Sequence, residues 1–177
     1  MKLEAKLQRI ELILSDVDGV LTDGGLIFDQ SGGEFKRFHV RDGLGIKLWQ
    51  RAGYPFGLVT ARTSNIVKLR ATELGVDIVR QGHEEKLPIV QKILEDRQLS
   101  PEQLCYIGDD LADLACVQLA GVGATVSDGA QELKESADIV TDLAGGRGAV
   151  RELVETILRR QQRWTELVRR YHLPPQD

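Results

Sequence analysis

The chain has 177 residues, 42% hydrophobic and 28% charged, with a formal net charge of -4. These values fit one soluble domain with a sizeable core, and the mild acidity argues against a nucleic-acid binder, which would carry a basic face. The charged N-terminus MKLEAKLQRIELILSD lacks a signal peptide's apolar core and cleavage site, and no apolar run reaches bilayer length, so a cytoplasmic protein is expected.

In chain order, IELILS reads as a strand buried on both faces. GLIFDQSGGEFKRFHV reads as a hairpin turning at Ser31, Gly32 and Gly33. Asp42 is placed to cap the helix GLGIKLWQRAG, and PFGLVT is a second buried strand. SNIVKLRATELG is a helix with Ser64 as N-cap and Gly75 as its stop. VDIVRQ is a strand, and EKLPIVQKILEDRQ a helix with Pro88 in its first turn. SPEQ carries a capping-box pattern, with Ser100 and Gln103 flanking Pro101. The strand LCYIGD, the helix LADLACVQLAG, the strand VGATV, the helix AQELKESA and the strand DIVT follow. Cys105 and Cys116 fall in apolar segments without metal-type spacing and read as buried reduced thiols.

The alternation of β and α elements with short links predicts an α/β fold, a doubly wound (Rossmann-like) parallel sheet with a β-hairpin insertion. A single domain over 1–177 ends in a long basic helix over 149–171. Val150, Leu153, Val154, Ile157, Leu158, Trp164, Leu167, Val168 and Tyr171 form its apolar stripe. The stripe faces either the chain's own sheet or, at its far end, another subunit. Arg159, Arg160, Arg163, Arg169 and Arg170 read as its solvated face.

Ligands of open α/β sheets bind beyond the carboxyl ends of the strands. Strand one ends in Asp16, with Asp18 two residues on; PFGLVT ends in Thr60; YIGDDLAD supplies Asp109, Asp110 and Asp113; and Lys86 opens a helix. Two carboxylates about 6 Å apart repel by roughly 3 kcal/mol at an effective dielectric of about 20. A cluster of Asp16, Asp18 and Asp109 therefore demands raised pKa values or a hard cation. Oxygen ligands without His or Cys point to magnesium. Lys86 opposes its helix dipole unless an anion sits beside it. A cation, an anion-seeking lysine, a strand-end hydroxyl and a carboxylate nucleophile make a phosphoryl-transfer site. An EF-hand is excluded, because Val20, Leu21 and Ile27 stand where an oxygen ligand, the glycine and the glutamate belong. There is no Walker A pattern, and GVGATV lacks the third glycine of a dinucleotide fingerprint.

SDVDGVLTDG, LVTAR, Lys86 in GHEEKLP and YIGDDLAD resemble the four motifs of the haloacid dehalogenase superfamily phosphatases, over residues 10 to 150. FHVRDGLGIK, TARTSNIVKLRATELG and GGRGAVRELVE resemble the superfamily's capless sugar-phosphate phosphatases. The resemblance implies a magnesium-dependent hydrolase acting on the phosphate ester of an eight- or nine-carbon sugar acid. Asp16 would attack phosphorus. Asp18 would protonate the leaving oxygen, activate water and bind the metal through its carbonyl. Asp109 would be the second carboxylate ligand. Thr60 and Lys86 would hold phosphoryl oxygens, with Asp110 and Asp113 behind them and Asp23 fixing the turn. Arg62 and Arg70 lie eight apart, and either could meet a sugar carboxylate or phosphate bidentately, the alternative being solvated helix arginines. The resemblance implies that His39 (often asparagine in the family) and Lys47 line the substrate.

Only 41 positions lie between Asp18 and Thr60, and 25 between Thr60 and Lys86, too few for a cap domain. An open site positions a small substrate poorly, so the substrate brings its own lid or a neighbouring subunit supplies one. The resembling family forms homotetramers through hairpins and C-terminal segments, and no nucleic acid or membrane is an expected partner. A phospho-acceptor receiver domain also uses an acid cluster, threonine and lysine, but there the lysine comes last; here Lys86 precedes GDDLAD. A structural, inactive relative is disfavoured because all four motif positions are present.

Overall fold

The computed structural model describes residues 2–172. Its strands are β1 (Leu12–Ser15), β2 (Ile27–Phe28), β3 (Glu34–Phe35), β4 (Phe56–Thr60), β5 (Ile78–Gln81), β6 (Leu104–Gly108), β7 (Val122–Thr125) and β8 (Ile139–Val140). Its helices are α1 (Leu3–Leu7), α2 (Val40–Arg51), α3 (Asn65–Leu74), α4 (Lys86–Arg97), α5 (Leu114–Leu119), α6 (Gln131–Ser136), α7 (Ala149–Arg160) and α8 (Trp164–Arg169). The main sheet is parallel, in the order β5-β4-β1-β6-β7-β8, and β2-β3 form a separate antiparallel ribbon. The expected doubly wound sheet with a hairpin insertion is thus present. Because β1 pairs with β4 on one side and β6 on the other, the chain reverses its winding direction there, and a crevice opens at their carboxyl ends.

The central strands β1, β4, β6 and β7 are buried along their whole length, with both faces covered. Ile13, Phe56, Leu58, Cys105 and Ile107 pack on one side with α2, α3 and α7. Leu12, Leu14, Val59, Leu104 and Tyr106 pack on the other with α4, α5 and α6. Helices α2 and α7 approach closely at Gly45, where a Cβ would lie 2.9 Å from the Arg151 Cα.

Three local expectations are corrected. Asp42 does not cap α2; His39 does, its Nδ1 accepting from the Arg41 N–H at 3.2 Å. The buried Asp42 carboxylate instead accepts from Gly148 N at 3.2 Å and Arg151 N at 2.9 Å, capping α7 across the interface. Ser64 does stand at the N-cap of α3, but its hydroxyl makes no capping bond and donates to Glu34 Oε2 at 2.7 Å. The continuous helix expected over 149–171 is two helices: the chain breaks at Gln162, a residue with φ of 59°. Gln161 donates to the carbonyls of Leu7 (3.2 Å) and Ile10 (2.7 Å), and the turn lays Trp164 against the chain's own core. Tyr171, by contrast, is exposed. Nor are all the arginines merely solvated: Arg159 stacks over Trp164 at 4.8 Å and Arg163 over Tyr54 at 4.9 Å. Among the described residues no helix is long and apolar enough to cross a membrane.

Candidate active site

Asp16 directly follows β1, and its N–H donates to Ile107 O at 3.0 Å, so the strand pairing holds it in place. Its Oδ1 accepts from Val17 N at 2.6 Å, and the chain then turns at Gly19, with φ of 89°. Glycine is required there twice over: the backbone is left-handed, and a Cβ would overlap the Asp109 carboxylate. Lys86 is the first residue of α4, and its Nζ lies 2.9 Å from Asp16 Oδ2 and 2.7 Å from Asp113 Oδ1. These two carboxylates compensate a buried ammonium that otherwise opposes its helix dipole. Asp113 is fully committed, with Oδ1 also accepting from the Tyr106 hydroxyl at 2.6 Å and Oδ2 from Asp109 N at 3.2 Å. Thr60 is buried at the end of β4, its hydroxyl accepting from Arg62 N at 3.3 Å.

Oxygens of Asp16, Asp109 and Asp113 all lie within 4.8 Å of one another. Burial and the neighbouring Asp113 push Asp16 up to about 6, against the pull of Lys86. Burial, then Asp16 and Asp113, push Asp109 up to about 8. Burial works against the Lys86 ammonium, but Asp16 and Asp113 outweigh it and raise its pKa. Three carboxylates against one ammonium leave two negative charges when all are ionised. That excess and the all-oxygen donor set fit a hard divalent cation. Asp113 and Asp16 each have both oxygens engaged by hydrogen bonds or the Lys86 ion pair, whereas no hydrogen bond among the described residues engages the Asp109 carboxylate, which could take a cation beside Asp16.

Asp18 points to a second charged group. Lys36 pairs with its Oδ1, and Arg62 Nε stands 3.7 Å from Oδ2. Oδ2 is buried without a hydrogen-bond partner. Glu34 ties both cations together, 3.3 Å from Lys36 Nζ and 3.1 Å from Arg62. The Ser64 hydroxyl, then Arg62 and Lys36, hold the Glu34 carboxyl below the usual range.

The structure therefore brings Asp16, Asp18, Thr60, Lys86, Asp109, Asp113 and Arg62 to one edge of the sheet. Asp110 is exposed and caps its own turn through Leu111 N at 2.8 Å. His39 and Arg70 line a small cleft with Phe38 and Asp42, where Arg70 pairs with Glu73 at 2.7 Å. Lys47 donates to Glu73 O at 3.1 Å, near the far end of α3. Within one chain these three make no bond to the acid cluster. Asp23 accepts from Gly25 N at 3.3 Å and pairs with Arg37, as expected of a turn-fixing residue. Sequence reasoning passed over Glu34, Lys36 and Tyr106. The Glu-x-Lys alternation, which sets both side chains on one side of an extended segment, was the available signal for the first two. A cleft of about 550 Å³ between Tyr54, Asp77, Arg80 and Arg97 opens at the amino ends of β4 and β5, away from the acids.

A buried carboxylate ion-paired to a buried lysine at the switch point of a parallel sheet is an arrangement suited to phosphoryl transfer. The sequence profile of haloacid dehalogenase-like hydrolases matches residues 66–153. The 3-deoxy-D-manno-octulosonate 8-phosphate phosphatase of Escherichia coli K12 is 38% identical over 162 residues, covering 92% of this chain and 86% of that protein. The Moraxella catarrhalis phosphatase of the same name, solved with magnesium, phosphate and KDO, superposes with a TM-score of 0.94 at 36% identity, covering 96% of this chain and 97% of that one. A cobalt-bound form of the Haemophilus influenzae phosphatase gives a TM-score of 0.86 at 38% identity, covering 89% and 92%. The chain belongs to the haloacid dehalogenase-like hydrolases, and it is a phosphoric monoester hydrolase.

Proposed function

We propose that this chain is a magnesium-dependent 3-deoxy-D-manno-octulosonate 8-phosphate phosphatase working through an aspartyl-phosphate on Asp16. The observation that carries the reading is the Lys86 ammonium seated between Asp16 and Asp113, beside Asp109. Phosphatases of that name match nearly the whole chain at 36–38% identity, which supports the substrate.

Asp16 attacks phosphorus, forming an acyl-phosphate as the ester P–O bond breaks. Asp18 gives its proton to the departing sugar oxygen and later takes one from the water that hydrolyses the acyl-phosphate. The Thr60 hydroxyl and Lys86 hold phosphoryl oxygens, while Asp113 and Tyr106 keep Lys86 aimed at Asp16. A bound magnesium, held by the carboxylates of Asp16 and Asp109 and the backbone carbonyl of Asp18, would neutralise charge on the phosphoryl oxygens. Asp110 belongs to the surrounding shell.

Leu26, Ile27, Phe28 and Phe35 leave the hairpin with an apolar surface more than half exposed, which supports an oligomer built on it, a tetramer in our reading. In such an assembly a neighbouring hairpin closes the open edge over the substrate. Arg62 meets the sugar acid from within the chain, and His39, Lys47 and Arg70 meet it across a subunit boundary.

The test is phosphate release from a panel of eight- and nine-carbon keto-acid phosphates, with and without magnesium. The eight-carbon 8-phosphate should show the highest kcat/KM, and only with the metal. A preference for a nonulosonate 9-phosphate would reassign the substrate, and release from none would return the chain to a non-hydrolytic phospho-acceptor.

A further inference from the structure

The foot of the hairpin presents an arrangement that the phosphatase reading does not use. Lys36 has a side chain only 1% exposed, in a segment whose neighbouring apolar residues are open to solvent. A buried ammonium needs charged partners, and this one has two: Asp18, at Oδ1, and Glu34. Glu34 is itself held on three sides, by Ser64 Oγ at 2.7 Å, Arg62 at 3.1 Å and Lys36 at 3.3 Å. Two anions and two cations thus alternate between the hairpin, the turn after β1 and the start of α3. Ser64 gives up its helix-capping bond to join them.

Asp18 has no other firm anchor. Apart from Lys36, its closest cation is Arg62 at 3.7 Å, beyond hydrogen-bonding range, and its Oδ2 is unpartnered. A carboxylate on a turn has free side-chain torsions unless something fixes them, and a proton donor displaced by about 1 Å loses much of its effect.

We propose that Lys36, braced by Glu34 and Ser64, is a positioning residue that aims the Asp18 carboxyl at the leaving-group oxygen. The hairpin then contributes to the proton-transfer step as well as to subunit contact. This assignment rests on Asp18 being the general acid.

The experiment compares kcat/KM for the sugar phosphate and for p-nitrophenyl phosphate in Lys36→Met, Lys36→Arg, Ser64→Ala and Asp18→Asn, all saturated with magnesium. This parameter counts events up to cleavage of the ester bond. An alkoxide cannot leave unprotonated, whereas p-nitrophenolate can, so loss of the acid penalises only the first substrate heavily. Lys36→Met should lower kcat/KM for the sugar phosphate about 30-fold or more, with a loss on p-nitrophenyl phosphate at least tenfold smaller, mainly in kcat. Lys36→Arg should recover part of the loss. Ser64→Ala should show the same split at smaller size, and it carries the test if Lys36→Met does not fold. Equal losses on both substrates, or none on either, would overturn the proposal. Asp18→Asn separates the two levels: a split there without one in the Lys36 and Ser64 variants removes Lys36 alone, and no split there removes the acid and the proposal together.

Discussion

The Tyr106 hydroxyl donates to Asp113 Oδ1 at 2.6 Å, on the same oxygen that receives Lys86 at 2.7 Å. The phenol rises from β6 beneath the site, fully buried, and fixes the carboxylate that fixes the lysine. Tyr106→Phe removes one hydrogen bond to a buried charged group, a loss of about 1.5–3 kcal/mol in stability. Chemical unfolding should register that loss, together with a fall in kcat of about three- to tenfold at little-changed KM, since Lys86 would keep only Asp16 and a loosened Asp113.

Asp16→Asn should abolish hydrolysis, by about 10³-fold or more, because an amide cannot serve as the nucleophile. The fold should survive, with an unchanged or higher Tm, as the substitution deletes one of three mutually repelling acids. Retained turnover would remove Asp16 from its role.

Magnesium binding should release protons. With Asp109 pushed up to about 8 and Asp16 to about 6, the metal-free site holds about one proton at pH 7 that a cation must expel. Calorimetric heats should therefore differ between buffers of different ionisation enthalpy at pH 7 and converge by about pH 9. The sign for stability follows from the same shifts. Raised carboxylate pKa values favour the fold most at low pH, and that contribution is lost as pH rises through about 6 and then about 8. The gap in Tm between magnesium-loaded and metal-free protein should widen over that range. A gap constant from pH 5 to 8 would contradict the charge argument.

Asp42→Ala should destabilise the protein by about 2 kcal/mol, because it strips the acceptor from two N–H groups at the start of α7 and leaves them in a buried interface. Asp42→Asn, which keeps one acceptor oxygen and removes a charge whose pKa burial already raises, should cost less. Thermal melts of the two variants distinguish these outcomes.

If the proposed tetramer is built on the hairpin, Phe28→Asp combined with Phe35→Asp should leave a monomer by light scattering and raise KM for the sugar phosphate about tenfold. A dissociated double variant with full substrate discrimination would remove the neighbour from the site.

The sheet and most of the acid cluster were legible because they rest on local signals. Short apolar runs such as LILS, bounded by turn residues, read as strands covered on both faces, and Asp16, Thr60, Lys86 and Asp109 each fall at a strand end or a helix start. What local pattern did not contain was the choice among distant partners. Asp42 satisfies the composition rule for a helix start but serves α7, more than 100 positions on. The apolar stripe continues through Trp164 and Leu167, so periodicity had no reason to end a helix at Gln161. The break comes from a left-handed Gln162 and from side-chain bonds to the loop before β1. In sequence Lys36 is one of several charges in the hairpin segment, and only the fold sets it against Asp18.

The β2-β3 ribbon pairs with no strand of the central sheet, yet both its roots are fixed, one by the turn that follows Asp16 and the other by α2. Its tip, Asp29 to Gly33, can therefore be lengthened, shortened or exchanged without disturbing the hydrogen-bond register that sets the reacting groups. For anyone seeking to redirect this enzyme to another ester, that tip is the natural graft point, provided the flanking Phe28–Glu34 pairing that seats Glu34 and Lys36 is kept.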